Sequence, residues 1–147
     1  MGKDTIPSYY SKQSAVIPYR RNGGTLEVLL ITSRKKKQWI IPKGIKEPHL
    51  SPQHSAAKEA FEEAGLEGKV SHHPIGSYTH QKWCRSCTVK VFCMKVQKVH
   101  DEWDEPWRKR KWVPYHSLPD RITKQELLDV VLKLPDFLKR KPIRWIE

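Results

Sequence analysis

The sequence predicts an α/β (α+β) domain, a mixed sheet with helices on both faces. Short apolar segments rich in β-branched residues flank one well-capped helix, a hairpin of alternating apolar and polar residues follows, and a second amphipathic helix lies near the end. The length of 147 residues suits one domain over residues 1–147. Charged residues make up 30% and apolar residues 37%, with six Trp, a globular rather than a disordered composition.

Ser14 to Arg20 reads as a strand, and Pro18 suggests an edge or bulge position in it. Arg21 to Gly24 is turn chemistry, since Asn and Gly accept positive φ. Leu26 to Ser33 has the composition of a buried strand, and Trp39 to Pro42 is a shorter apolar piece. A loop with one glycine and two prolines leads to a helix capped by Ser51, with Pro52 at its first position and Gly65 just past its end. Ala57, Ala60, Phe61 and Ala64 form its apolar stripe, and Glu59, Glu62 and Glu63 fall together on the other side. Gly68 to His80 and Cys87 to Val99 read as a hairpin, in which Val89, Val91 and Cys93 alternate with Lys90, Phe92 and Met94. Arg108 to Tyr115 is a last strand. Thr123 and Glu126 have capping-box spacing ahead of a helix with Leu127, Val130, Val131 and Leu134 on one stripe.

The net charge of +12 favours anionic partners, either nucleic acid or a small polyphosphate. Basic residues bunch at Arg34–Lys37, Arg108–Lys111 and Lys139–Lys141. No apolar run approaches the roughly 18 residues of a membrane span. The first residues lack the apolar stretch of a signal peptide, and Ile6 stands where a lipidation pattern needs Ser or Thr. Three cysteines make no complete disulfide framework. The expectation is a reduced, cytoplasmic, soluble protein with no membrane partner.

Three glutamates on one helix of so basic a chain ask for a reason, because like charges at i, i+4 repel. A solvated face is the ordinary account, and Lys58 can pair with Glu62. The surroundings point further. Gly44, Lys58, Glu59, Ala60, Glu62, Glu63, Gly65 and Leu66 match, without a gap, the spacing of the pattern G-x5-E-x7-R-E-U-x-E-E-x-G-U, where U is aliphatic. This resembles the Nudix box. Leu50 replaces the loop glutamate and Lys58 the arginine, both support positions, while the three helix glutamates remain.

From Lys12 to Lys141 the chain is similar to the Nudix subgroup that hydrolyses diphosphoinositol and diadenosine polyphosphates. Leu26 to Arg34, Gln38 to Gly44, Glu47 to Pro48, Asp101 to Pro106 and Arg108 to Val113 carry that likeness; Lys43 and Ile45 depart from the subgroup's P-G-G-G loop. The resemblance implies a Nudix hydrolase with an α/β/α sandwich around a mixed sheet. It also implies that Lys12, Ser33, Arg34, Arg108, Arg110 and Lys141 bind substrate phosphates.

The implied reaction is cleavage of a phosphoanhydride in a nucleoside diphosphate derivative, dinucleoside polyphosphate or diphosphoinositol polyphosphate. Mg²⁺, or Mn²⁺, is the expected cofactor, since hard cations choose oxygen ligands. Glu59 and Glu63, one turn apart, are the expected ligands, with the Lys43 carbonyl a further donor. Glu62 is either another ligand or the base that activates water; an acid from Glu102, Asp104 or Glu105 is an alternative base. The rival reading is a binding module for RNA or another polyanion, without chemistry. His80, Cys84, Cys87 and Cys93 superficially suggest zinc, but a set confined to one hairpin argues against it.

Overall fold

The architecture is organised by two central strands that run parallel. The computed structural model describes residues 12–35, 37–82, 85–140 and 143–146. In chain order these contain β1 (Lys12–Asn22), β2 (Thr25–Thr32), β3 (Trp39–Ile40), β4 (Lys43–Ile45), α1 (Pro52–Ala64), β5 (Leu66–Ser71), β6 (Gly76–Lys82), β7 (Arg85–Val99) and β8 (Arg110–Pro114). Three short helices follow, α2 (Leu118–Arg121), α3 (Gln125–Val131) and α4 (Leu134–Lys139), and then β9 (Trp145–Ile146). Strand β1 pairs in parallel with β7, placing Ala15 beside Val91 and Ile17 beside Cys93. The other pairings are antiparallel: β4 and β2 share the second edge of β1, β8 and β3 flank β2, and β6 and β5 share the far edge of β7.

Alternation along these strands builds two cores. Val16, Leu29, Ile31, Phe92 and Met94 face Ala56, Ala60 and Ala64 of α1. Ala15, Ile17, Val28, Leu30, Val91 and Cys93 face Leu118, Leu127, Val131, Leu134 and Phe137 of the later helices. The mixed sheet with helices on both faces is therefore present as expected. A buried large aliphatic or aromatic side chain contributes about 1.5–3 kcal/mol. The second core has more of them on its helices. The alanines of α1 add less, but they let that helix lie close to the sheet.

Local chemistry sets the ends of α1. Ser51 Oγ accepts the His54 N–H at 3.1 Å, Pro52 opens the helix, and Gly65 closes it in the left-handed region at φ 66°. Gly23 and Gly24, at φ 59° and 85°, make the two-residue turn between β1 and β2.

Three local expectations are corrected. Pro18 lies in a central strand, not at an edge. Its missing N–H points to the side on which Val16 N–H bonds Pro42 O, at the step where β1 passes from β4 to β2, so the β7 ladder loses nothing. Thr123 does not cap α3: Lys124 occupies the cap, without a side-chain bond. The buried face of α1 carries Ser55, Ala56, Ala60, Glu63 and Ala64, while Phe61 is 46% exposed. A phenyl ring does not fit under a helix packed this closely, so α1 is turned and its glutamates are split.

Candidate active site

The turn of α1 sends two carboxylates into a groove of roughly 750 Å³ between the helix, the β3–β4 segment and the loop before β8. Glu63 is buried; Glu59 is half-buried one turn before it, and their carboxyl groups hydrogen-bond to each other. Lys43 N–H donates to Glu63 Oε1 at 3.2 Å. Burial pushes both acids above the ordinary carboxylate range, and their mutual proximity raises Glu63 further, against the lowering effect of Arg108.

Strand β4 supplies the floor. A Cβ on Gly44 would sit no more than 2.6 Å from either Glu59 carboxylate oxygen, so any side chain there would displace that acid from its present position. The opposite wall is Arg108, itself buried. Its Nη1 donates to Thr32 O at 2.7 Å and its Nε to Glu105 Oε1 at 2.8 Å, and its Nη2 lies 3.9 Å from Glu63 Oε2. Ser33, Arg34, Lys35 and Glu105 complete that side.

The donor set suits a hard divalent cation. Two converging carboxylates, held at raised proton affinity and supported by a buried arginine, match the one or two carboxylates by which Mg²⁺ is usually held alongside waters and substrate phosphates. No three His, Cys, Asp or Glu side chains form a closed metal cage among the described residues.

A family model described as the NUDIX domain matches residues 11–133 of this chain. The chain belongs to the Nudix family. Among curated proteins it is 30% identical over 109 residues to diphosphoinositol polyphosphate phosphohydrolase 3-beta of Bos taurus, covering 72% of this chain and 65% of that protein. It is 31% identical over 106 residues to diphosphoinositol polyphosphate phosphohydrolase 2 of Rattus norvegicus, covering 70% of this chain and 58% of that protein. The match thus spans less than two thirds of either relative's own length. The solved structure of C. elegans Ap4A hydrolase superposes with a TM-score of 0.72 at 21% identity, over 86% of this chain and 97% of that one, a likeness of fold.

Within this Nudix chain the expected site residues separate into groups. Glu59 and Glu63 are brought together in the groove, which Ser33, Arg34 and Arg108 also line. Ser33 Oγ accepts the Gln38 N–H at 2.9 Å, closing the β2–β3 turn. Glu62 turns to Lys58 Nζ, 2.7 Å away, and does not line the groove. Arg110 is a correction. Its Nη1 donates to Ala64 O and His100 O at 2.9 and 2.8 Å and its guanidinium stacks on Trp103, so it closes the end of α1 instead of facing the groove. Lys12, exposed at the start of β1, is also absent from the lining. Lys141 lies outside the described residues.

Of the loop acids, Glu105 lines the groove; Glu102 and Asp104 do not. The sequence assigned no role to Glu47, which pairs with Lys58 Nζ at 2.8 Å and lines the groove. An acid in the loop after Gly44, within reach of Lys58, was the available signal. Cys87 and Cys93, six residues apart on extended β7, are separated by about 20 Å and cannot share a zinc ion; Cys84 lies outside the described residues.

Proposed function

We propose that this Nudix protein is a Mg²⁺-dependent hydrolase (Mn²⁺ also fits) that cleaves a phosphoanhydride bond in a small polyphosphate. The candidate substrates are nucleoside diphosphate derivatives, dinucleoside polyphosphates and diphosphoinositol polyphosphates. The observation that carries the reading is the convergence of Glu59 and Glu63 over Gly44, facing buried Arg108. The names of the bovine and rat relatives support the substrate class. A module that only binds RNA has no use for paired buried acids in a basic groove.

Glu59 and Glu63 would hold the cation, with the Lys43 carbonyl as a further donor. Such a cation would supply charge neutralisation for the phosphates and raise the acidity of the attacking water. Arg34 and Arg108 bind phosphate oxygens on the other wall. We assign the proton from the attacking water to Glu105, which lines the groove and is oriented by Arg108 Nε. Glu62 positions Lys58.

No helix among the described residues is long and apolar enough to cross a membrane. A cytoplasmic setting is part of the proposal. The test is a hydrolysis screen over the three substrate classes with Mg²⁺, Mn²⁺ or EDTA, using Glu63→Gln as the comparison. Metal-dependent turnover that Glu63→Gln abolishes supports the proposal. Equal turnover in Glu63→Gln at saturating Mg²⁺ overturns the carboxylate site, and no turnover of any substrate overturns the hydrolase.

A further inference from the structure

Trp107 is 50% exposed, packs against neither core and does not itself line the groove, but it touches two arginines that do. An exposed indole forgoes the burial that makes Trp valuable to a fold. Two cations accompany it. Arg108 Cζ lies 4.4 Å from the ring centroid and Arg34 Cζ 5.3 Å. Both arginines line the groove, and Arg108 also reaches Glu63. A single guanidinium therefore separates the indole from the carboxylate pair.

We propose that Trp107 is a stacking platform for a nucleobase, which selects nucleoside polyphosphates among the substrates of this site. This deepens the hydrolase reading and rests on it for the chemistry. A purine or pyrimidine has a π face that stacks on an aromatic ring whatever the base, and the same face attracts a guanidinium. A saturated inositol ring offers no such face and depends on cations alone. Arg34 is exposed, free of the buried contacts that hold Arg108, so it can leave the indole for a phosphate as a base arrives. The platform, the movable cation and the carboxylate pair then follow the order of base, phosphate chain and scissile bond.

The experiment compares wild type, Trp107→Ala and Trp107→Phe with Mg²⁺. The substrates are diadenosine tetraphosphate, inorganic tripolyphosphate and a diphosphoinositol polyphosphate. Stacking of this kind corresponds to about a tenfold to hundredfold effect. Trp107→Ala should raise KM for the nucleoside substrate by that factor with kcat little changed, so its preference over the other two substrates falls equally. Trp107→Phe should recover most of it. An equal loss on all three substrates would make Trp107 a buttress of Arg108 and overturn the proposal, as would no loss on any. Calorimetry with ADP and pyrophosphate reads the platform without turnover. Absent hydrolysis with ADP favoured over pyrophosphate, and that preference lost in Trp107→Ala, defeats the hydrolase reading alone. Equal binding of the two ligands by wild type defeats the platform.

Discussion

Lys58 Nζ stands between two carboxylates, 2.8 Å from Glu47 Oε2 and 2.7 Å from Glu62 Oε2. It joins the loop after β4 to the middle of α1, and both acids hold its proton more firmly than usual while it lowers Glu47. Leu50, in the motif's loop-acid slot, cannot supply this contact, and Glu47, three residues earlier, does. Glu47 N–H also donates to Ser55 Oγ at 3.2 Å, so the loop is held to α1 twice.

Lys58→Arg should therefore keep turnover, because a guanidinium can serve both acids. Lys58→Met should leave the thermal midpoint within a few degrees, as partly exposed pairs contribute roughly 0–1 kcal/mol. Its turnover should still fall, because the loop sets the height of Gly44 under Glu59. Steady-state kinetics beside thermal unfolding separates the two effects; unchanged kcat in Lys58→Met would remove Lys58 from site positioning.

Gly44→Ala is the sharpest test of the groove floor. The added methyl collides with the Glu59 carboxylate, which must swing away. A displacement of about 1 Å can cost on the order of a hundredfold in rate. That loss in kcat is expected with a folded protein by circular dichroism; full activity would mean that Glu59 need not occupy its present position.

The paired acids predict an unusual pH response of the metal-free protein. Glu63 binds a proton more tightly folded than unfolded, because burial and Glu59 disfavour its charge. The native state then holds more protons than the unfolded state above the ordinary carboxylate range. Stability in EDTA should be full below that range and should fall as pH rises through the raised folded value. Glu63→Gln should flatten the slope, and Mg²⁺ should reduce it by replacing the proton. Thermal midpoints from pH 5 to 9 check this, and a rising midpoint in EDTA would contradict it.

Arg110 and Arg34 should behave as opposites. Arg110→Ala removes a bond to Ala64 O at the end of α1 and one to His100 O just after β7, and a charge-assisted bond contributes about 1.5–3 kcal/mol. A midpoint several degrees lower with KM unchanged is expected. Arg34→Ala should leave stability unchanged and lower kcat/KM about tenfold, more for longer phosphate chains. Salt-dependent RNA binding weakened by Arg34→Ala, with no polyphosphate hydrolysed, would favour the polyanion-binding module.

Periodicity and short-range steric rules were sufficient for much of this molecule. Ser51, Pro52 and Gly65 bounded α1 because capping depends on neighbours a few residues away. The alternation of Val89 to Met94 identified a hairpin strand, and the spacing from Gly44 to Leu66 placed the acids and the family. Tertiary packing decided the rest. The close approach of Ala56, Ala60 and Ala64 to the sheet turned α1, put Phe61 in water and Glu63 inside, and parted Glu62 from Glu59. Tertiary packing also sent Arg110, at the start of β8, to the end of α1 and Arg108, in the loop just before it, to Glu63, although the sequence places both in one strand segment. A strand's period of two tells which face a side chain takes, but its partner comes from a segment distant in sequence. For Arg110 that partner was the end of α1, 46 residues earlier, a contact that arises only when the chain folds.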